Sequence, residues 1–318
     1  MPFDTVNRRT VVAGIAAGAV LAPLVGAQAA AKPLDFLVIG DWGRDGAAHQ
    51  RDVAVQMGKA SAARSSRFVL AVGDNFYDDG VDSITDPQWK SSFEDVYTDP
   101  ALNIPWQVAL GNHDYRGNPQ AQIDYAATSS RWRMPSRYFK VSGADMGMPA
   151  MDMFVIDTSP LVHKYRDNVQ SVIAQNVAKQ DVRAQLEWLD KALGESQAAW
   201  KIVAGHHTVR SGGSSHGDTP ELVEMIKPIL ERHRVQAYIA GHDHDMQHIV
   251  DNGVDYILSG AGSEVRPVAT VKGTQFCLSR SGFAAISLDR DAMALEFRDF
   301  AGATVYQRVI TRERRVAA

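Results

Sequence analysis

The chain has 318 residues, of which 45% are hydrophobic and 22% are charged, so it is long enough for a sizeable core and is neither disordered nor collagen-like. The 33 basic and 37 acidic residues give a net charge of −4 at pH 7, which argues against nucleic acid as a bulk electrostatic partner. The single cysteine, Cys277, excludes an internal disulfide and a cluster of thiolate metal ligands. We expect it to be a small buried hydrophobic side chain.

Residues 1–31 are predicted to be a cleavable export signal. Arg8 and Arg9 precede an uncharged stretch over residues 10–31, whose apolar part is too short for a comfortable membrane span. Two cleavage sites of the A-x-A type close the stretch, at residues 27–29 and 29–31. The paired arginines resemble the twin-arginine export signal of bacteria, and an uncleaved N-terminal anchor is the alternative. We expect a periplasmic or secreted protein with no membrane association after cleavage.

From residue 32 the chain alternates short apolar runs with polar stretches, which is typical of an α/β protein. The predicted buried strands are Leu34–Ile39, Arg67–Val72, Ile104–Leu110, Met151–Ile156, Trp200–Ala204 and Val235–Ala240. The predicted helices are Ala47–Ala63, Val182–Leu193 and Pro220–Arg234. In the second of these helices, leucines at i, i+3 and i+7 form an apolar stripe opposite charged residues.

After His248 the pattern changes to alternating strands with glycine turns, predicted at Val254–Leu258, Phe283–Leu288, Met293–Asp299 and Thr304–Ile310. We expect these strands to be antiparallel and to close a second sheet. No internal repeat or flexible linker interrupts residues 32–318, which predicts a single domain. Residues 78–89 and 158–180 are predicted to be loops, and a long loop inside a compact domain is often a lid or a binding loop.

Five of the predicted strands end in a glycine that is followed at once by a potential metal ligand. The five segments are Gly40-Asp41-Trp42-Gly43, Gly73-Asp74-Asn75-Phe76-Tyr77, Gly111-Asn112-His113-Asp114, Gly205-His206-His207 and Gly241-His242-Asp243-His244. Any one of them is weak on its own, because turns favour Asp and Asn. Open α/β sheets bind ligands at the carboxyl ends of their strands, so the five together predict a shared site.

The residue types in these segments indicate which ions they bind. Asp, Asn, Tyr and His supply oxygen and nitrogen donors, which excludes soft thiolate sites for copper(I) or iron–sulfur clusters. Seven donors are too many for one ion that must keep a substrate position open, and they suit two ions that share a bridging carboxylate. Two-metal sites of this kind hydrolyse phosphoesters, because one ion acidifies a bound water and both stabilise the attacked phosphate.

The five segments, in this order and at this spacing, resemble the signature blocks of the calcineurin-like metallophosphoesterases and, within them, of the small single-domain purple acid phosphatases. The wider superfamily usually has a histidine where this chain has Gly43, whereas this chain supplies Tyr77 in the second block. The resemblance runs from about Asp35 to the C-terminus. It implies an α/β fold with four layers, α/β-β/α, in which two mixed sheets are flanked by helices.

The resemblance also implies a role for each candidate ligand. It assigns Fe(III) to a first site and a divalent ion (iron, zinc or manganese) to a second site, with Asp74 as the bridge. The first site would consist of Asp41, Asp74, Tyr77 and His244, and the second of Asp74, Asn112, His206 and His242. A tyrosine with a free pKa near 10 needs a strongly polarising ion to bind as phenolate, which favours Fe(III) at the first site.

Two further histidines, His113 and His216, match outer-sphere catalytic histidines of the family. Either would donate a proton to the leaving group or bind phosphate oxygens. The alternatives are a brace behind the metal ligands for His113 and a solvated loop residue for His216. For His207 and Asp114 we expect packing or bracing, and the arginines of Arg131–Tyr138 either contact substrate or are solvated.

These inferences predict an exported acid phosphatase that hydrolyses phosphomonoesters with a metal-bound hydroxide at a binuclear Fe(III)–M(II) centre. Its partners would be small phosphoester substrates and inorganic phosphate, and we expect a monomer. One alternative is a phosphodiesterase or nucleotidase on the same scaffold, because pocket shape decides that preference. Another is a non-hydrolytic iron-binding or redox protein, which would need neither His113 nor His216.

Overall fold

The computed structural model describes residue 1, residues 32–148 and residues 150–312. The predicted export signal lies outside the described residues apart from Met1. The strands are β1 (Leu34–Ile39), β2 (Phe68–Val72), β3 (Trp106–Ala109), β4 (Trp132–Arg133), β5 (Phe139–Ser142), β6 (Met151–Val155), β7 (Trp200–Ala204), β8 (Ala237–Ala240), β9 (Met246–Asp251), β10 (Val254–Ser259), β11 (Thr274–Leu278), β12 (Gly282–Leu288), β13 (Ala292–Asp299) and β14 (Thr304–Thr311).

The helices lie mainly between the strands of the N-terminal two thirds. The α-helices are α1 (Gln50–Arg64), α2 (Pro119–Tyr125), α3 (Val172–Val177), α4 (Val182–Glu195), α5 (Pro220–Met225) and α6 (Lys227–Arg232). A π-helix spans Trp89–Glu94, and 3₁₀ turns span Pro100–Leu102, Asp114–Arg116, Gly143–Met146, Ser159–Leu161 and His163–Arg166. No helix within the described ranges is long and apolar enough to cross a membrane.

Within the described ranges, the strands form two mixed sheets of seven strands each. The first has the order β14-β13-β12-β1-β2-β3-β4, and the second has the order β11-β9-β10-β8-β7-β6-β5. In the first sheet β1, β2, β3 and β4 are parallel, whereas β12 pairs antiparallel with β1. In the second sheet β6, β7, β8 and β10 are parallel. The parallel strands of each sheet therefore present their carboxyl ends at one edge.

The two sheets pack face to face, and helices cover their outer faces. Side chains alternate along a strand, so Phe36 and Val38 of β1 join the core between the sheets, whereas Leu37 of the same strand packs with Val53 and Met57 of α1. On the other side α4 packs its leucine stripe against the second sheet. The predicted four-layer α/β-β/α arrangement of two mixed sheets flanked by helices is confirmed.

The structure corrects the prediction for the tail of the chain. Only β10 among the predicted tail strands belongs to the second sheet, while β12, β13 and β14 extend the first sheet beyond β1. The pairing of Leu34 with Leu288 begins this extension. Alternation predicted strands in the tail, but period-two patterning does not specify the partner of a strand. Cys277 in β11 also differs from the prediction, because it is only partly buried.

Residues 158–180 are more regular than the predicted loop. The segment contains the 3₁₀ turns Ser159–Leu161 and His163–Arg166 and then α3. The side-chain amide of Asn176 in α3 donates to the carbonyls of Tyr115 and Gly117, at 3.0 and 2.9 Å. Helices this short are below the length at which periodicity is detectable, and tertiary contacts hold them instead.

Candidate metal centre

The candidate ligands follow β1, β2, β3, β7 and β8, and they converge at one edge of the packed sheets. Asp41, Asp74 and His242 adopt left-handed backbone conformations, with φ of 59°, 48° and 70°. That region is unfavourable for most residues and is tolerated best by Asn, Asp and His. Each sharp turn ends a strand and aims the side chain over the edge of the sheet rather than along it.

Aromatic anchors hold the first two loops in place. Trp42, the neighbour of Asp41, is fully buried, and its ring centroid lies 5.7 Å from that of Phe76 in the second loop. The loops approach so closely that a Cβ on Gly43 would lie 1.9 Å from the carbonyl oxygen of Asn75. The position therefore has no room for a side chain of any kind, which explains its glycine.

Four donor atoms surround one point of the site. The Tyr77 hydroxyl lies 3.0 Å from Oδ1 of Asp41, 3.0 Å from Oδ2 of Asp74 and 3.1 Å from Nε2 of His244. The last of these nitrogens lies 3.4 Å from Oδ1 of Asp41. Separations near 3 Å are those of donor atoms that share one ion at bond lengths of about 2.0–2.2 Å. These four residues are the predicted first metal site.

A second group of donors adjoins the first through Asp74. Nε2 of His206 lies 3.3 Å from Oδ2 of Asp74 and 3.2 Å from Nδ1 of His242. Nδ1 of His206 donates to the carbonyl of Val72 at 2.9 Å, and this contact fixes the ring so that Nε2 is free to bind a metal. Because Oδ2 of Asp74 contacts both groups, it occupies the position of a bridging ligand.

Asn112 completes the second group. Its side-chain oxygen is buried and has no hydrogen-bond partner among the described residues, and it lines the same cavity as Asp74 and His242. A buried carbonyl oxygen without a partner costs free energy unless something binds it, and a cation is such a partner. The oxygen and nitrogen donors of both groups thus fit a pair of hard or borderline cations.

The ionisable groups of the site also indicate that it needs a bound cation. Burial, together with the charge of Asp74, raises the pKa of Asp41 well above its usual value. Burial also opposes ionisation of Asp74, but His206 and the backbone N–H of His113 outweigh it and lower the pKa of this carboxyl. Burial and the two carboxylates raise the pKa of Tyr77 well above its usual value. Carboxylates and a phenol packed this tightly need a nearby cation to ionise together.

His113 lies beside the predicted first site. Its backbone N–H donates to Oδ1 of Asp74 at 2.8 Å, and its ring lies 4.4 Å from the ring of Tyr77. Nδ1 contacts the carbonyl of Asp78, which only accepts, so Nδ1 carries a proton. Nε2 lies 4.0 Å from Oδ2 of Asp74. The ring therefore lines the cavity with Nε2 available for a ligand, and burial lowers its pKa.

His216 stacks on a candidate ligand and contacts an arginine. Its ring centroid lies 4.0 Å from that of His242, and Nη1 of Arg266 lies 3.0 Å from its Nε2. A guanidinium only donates, so Nε2 accepts and the proton of the neutral ring is on Nδ1. Burial and the charges of Lys164 and Arg266 lower the pKa of His216 to about 4.

His207 connects the segment over residues 158–180 to the site. Its Nδ1 lies 2.8 Å from Oγ1 of Thr158 and its Nε2 lies 2.8 Å from the hydroxyl of Tyr165. Its ring is 4.3 Å from that of His242. Because hydroxyl groups contact both of its ring nitrogens, His207 supports its neighbours. Its ring also lies close enough to His206 and His242 for the three histidines to form a group that could hold a metal ion.

Asp114 and the arginines of the segment Arg131–Tyr138 lie around the predicted metal ligands or further away. Asp114 is buried and accepts hydrogen bonds from the backbone N–H groups of Gly111 and Asn75, at 2.8 and 3.0 Å, and from Gln122 at 2.8 Å. It thus links the second and third loops. The arginines of the segment Arg131–Tyr138 donate to backbone carbonyls, to Glu94 or to the hydroxyl of Tyr115, and none of them lines the cavity.

Sequence reasoning missed several residues around the centre. Arg44 places its guanidinium 3.8 Å from the centroid of the Tyr77 ring, and its position directly after the first block was a signal that could have found it. Lys164, Tyr165 and Arg266 line the cavity of about 250 Å³ above the ligands. No motif contains these three residues, so only the folded chain reveals them.

Comparisons with known proteins agree with this geometry. A family model described as calcineurin-like phosphoesterase matches residues 34–246. Purple acid phosphatase 4 of Arabidopsis thaliana is 36% identical over 86% of this chain and 82% of its own length. Purple acid phosphatase 7 of the same plant is 43% identical over 73% of this chain and 70% of its own.

Among solved structures, one described as GAP50, the anchor in the inner membrane complex of Plasmodium, superposes with a TM-score of 0.75 at 25% identity and covers 88% of this chain and 89% of that chain. The fold is thus shared with a protein that is described as an anchor, and fold alone does not decide function. The matches in sequence decide the family. The chain belongs to the calcineurin-like phosphoesterases and, among them, to the purple acid phosphatases, and it is a hydrolase that acts on phosphate esters.

Proposed function

We propose that the chain is an exported acid phosphatase that hydrolyses phosphomonoesters at a binuclear centre of Fe(III) and a divalent metal ion. The observation that carries this proposal is the contact of the Tyr77 hydroxyl with Asp41, Asp74 and His244 at 3.0–3.1 Å. A phenol in a set of carboxylates and imidazole suits a trivalent ion, because only a strongly polarising ion ionises a tyrosine at acidic pH.

The second site is proposed for divalent iron, zinc or manganese. Asn112, His206 and His242 are neutral donors, and Asp74 is the charged ligand that they share with the first site. Imidazole and amide oxygen suit these ions. A pair of cations bound here would acidify water and neutralise the charge on phosphate oxygens.

The protein's own side chains orient the substrate and handle its protons. In this proposal Nε2 of His113 faces the phosphate while Nδ1–H is held by the carbonyl of Asp78. The ring donates a proton to the oxygen of the leaving group from Nε2 when it is in the imidazolium form, which carries a proton on both nitrogens. His216 binds a phosphate oxygen through its Nδ1–H, because Arg266 occupies its Nε2. The stacking of His216 on His242 keeps that ring next to the second site.

The proposed export rests on the sequence of residues 1–31. Arg8 and Arg9, the uncharged stretch after them and the A-x-A sites are its support. Changing both arginines to lysine should retain the protein in the cytoplasm of a bacterial host, whereas the native signal should deliver it outside. Cell fractionation with activity assays measures the difference.

The test of the catalytic proposal is metal analysis, a visible spectrum and turnover on one preparation purified without chelator. We expect two metal ions per chain, at least one of them iron, and a visible band from the Tyr77–iron bond. We also expect faster hydrolysis of nitrophenyl phosphate than of its bis-ester. Faster bis-ester hydrolysis would favour a phosphodiesterase, and a colourless active protein would contradict the Fe(III) assignment.

A further inference from the structure

Arg44 packs its guanidinium against the face of the Tyr77 ring. The central carbon of the guanidinium lies 3.8 Å from the centroid of that ring, well within the distance of about 6 Å at which a cation attracts the electrons of an aromatic ring. The arginine side chain is only 18% exposed. The attraction between the cation and the ring is therefore little weakened by solvent.

Contacts between the first two loops fix Arg44 opposite Tyr77. The backbone N–H of Tyr77 donates to the carbonyl of Gly43 at 2.8 Å, and the backbone N–H of Arg44 donates to Oε1 of Gln50 at 3.0 Å. Gln50 is fully buried, and its amide nitrogen donates to the carbonyl of Ser92 at 2.7 Å. The backbone of the fold thus places the arginine over the ring.

The polar contacts of Arg44 do not explain this position. Its Nε is buried and has no hydrogen-bond partner among the described residues. Its outer nitrogens lie 3.0 Å from Glu264 and 3.6 Å from Asp78, whose side chains are 52% and 75% exposed. Ion pairs with such exposed partners are weak, because water screens them. The contact with the Tyr77 ring is therefore the buried contact of this guanidinium.

The arginine acts on the ring of the proposed iron ligand and not on its oxygen. Asp41, Asp74 and His244 surround the hydroxyl of Tyr77, whereas the guanidinium lies over the face of the ring. A phenolate spreads its negative charge over the whole ring. A positive charge above the face therefore lowers the energy of the electrons that the phenolate shares with a bound metal ion.

We propose that Arg44 is a positioning residue that acts through Tyr77 and sets how strongly the phenolate donates electrons to the ion of the first site. The positive charge of Arg44 holds electron density on the ring, and the negative charge of Glu264 limits this effect. The inference rests on the proposed Fe(III) at the first site. It assigns the tuning of that site to an ion pair outside the set of ligands.

The test is the visible spectrum of the iron-loaded protein. The band arises when one electron moves from the phenolate to Fe(III), so stabilising the electrons of the ring raises the energy of the band. Arg44→Gln should move the band to longer wavelength, and Arg44→Lys should restore part of the native position, because lysine keeps the charge without the planar stacking.

Glu264→Gln should move the band to shorter wavelength. The variant removes the charge that offsets Arg44, and its amide oxygen can still accept a hydrogen bond from the guanidinium. A general loosening of the site would not move the band in opposite directions for the two members of one ion pair. The matched control is Arg51→Gln, since Arg51 lies on α1 and donates to the carbonyl of Asp95 at 3.1 Å. It removes the same charge and should leave the band in place.

Metal analysis of the same samples separates a change of the band from a loss of iron. A band that stays at the native wavelength in Arg44→Gln and Glu264→Gln, with iron retained, overturns the inference alone. If Arg44→Gln fails to fold or loses its iron, Glu264→Gln decides: a shift to shorter wavelength supports the inference, and an unchanged band overturns it. A native protein that binds iron without a visible band overturns the proposed Fe(III) assignment as well.

Discussion

The hydroxyl of Tyr77 lies 3.0 Å from Oδ1 of Asp41, although the two residues belong to loops that follow different strands. Burial and neighbouring carboxylates raise the pKa of that phenol. The contact is unfavourable for an ionised phenol beside an ionised carboxylate, and it becomes favourable when a cation lies between them. This pair therefore reports directly on whether a cation occupies the proposed first site.

Tyr77→Phe should abolish the visible band while part of the metal content remains, because three of the four predicted ligands of the first site are kept. Visible absorption and metal analysis of the same sample measure both effects. The control is Tyr165→Phe, since this tyrosine lines the same cavity without being a predicted ligand. An unchanged spectrum in Tyr77→Phe would refute the tyrosine–iron assignment.

Asp74→Asn should cost both metal ions, because its Oδ2 lies within 3.3 Å of donors of both predicted sites. An amide cannot supply the negative charge that a bridging carboxylate supplies. Metal content per chain is the measurement, and Asp78→Asn is the control because this carboxylate is largely exposed. Two ions retained in Asp74→Asn would contradict the bridging role.

His113→Ala should lower kcat by about a hundredfold or more, the usual contribution of a positioned acid or base, while metal occupancy stays near that of the native protein. Steady-state kinetics and metal analysis separate the two effects. His163→Ala is the matched control, because this ring is exposed and does not line the cavity. A greater loss of metal than of turnover would make His113 a structural residue.

Removal of metal should lower the melting temperature by roughly 10 °C. Ions present at a thousandfold excess over their Kd contribute about 4 kcal/mol, and 1 kcal/mol corresponds to about 2–4 °C in a protein of this size class. Thermal melts with and without chelator, followed by addition of metal, measure the change. Asp74→Asn should not respond to chelator. A native protein whose melting temperature ignores chelator would show that the cluster does not hold ions tightly.

The carboxyl of Asp157, which lies buried just after β6, should make the free energy of unfolding fall as the pH rises from about 4 to 6. Burial raises its pKa from 3.8 to about 6, so the unfolded chain releases this proton first and the folded chain releases it later. The stabilising contribution is complete below pH 3.8 and is lost as the pH reaches 6. The loss is of the order of 3 kcal/mol, at 1.36 kcal/mol per pKa unit.

The measurement is the difference in unfolding free energy between the native protein and Asp157→Asn, from denaturant titrations at pH 4 and pH 6.5. Other titrating groups cancel in this difference. We expect the native protein to lose stability relative to the variant as the pH rises. Parallel stability curves would show that the Asp157 carboxyl titrates normally in the folded protein.

The sequence predicts the fold well where one strand's composition decides the outcome. β1 and β7 begin and end at the predicted residues, because buried parallel strands read as continuous apolar runs bounded by glycine. The sequence does not predict which strands pair when the two strands are far apart along the chain. The pairing of β12 with β1 joins residues that are about 250 positions apart, and no local pattern specifies such a neighbour.

The candidate site, too, could be predicted only in part from the sequence. The seven predicted ligands lie in strand-end motifs, and the structure brings them together, although their binding of metal stays a prediction. Arg266 and Lys164 lie in segments without motifs, and only tertiary packing brings them to the cavity. Arg44 contacts Tyr77 through the face of its ring, a relationship that depends on the orientation of two loops rather than on spacing.

A contact between His242 and Asp41, which follow strands of different sheets, has a consequence for biosynthesis. The backbone N–H of His242 donates to Oδ2 of Asp41 at 2.9 Å, so residues emerging early and late from the ribosome meet at one point. A nascent chain that ends before β8 lacks two of the predicted metal ligands, His242 and His244. Closing such a long loop has an entropic cost, which burial of the hydrophobic core must offset. The complete set of proposed ligands can therefore bind metal only after β8 has been synthesised, and we expect protein that folds without metal to be activated when metal is added.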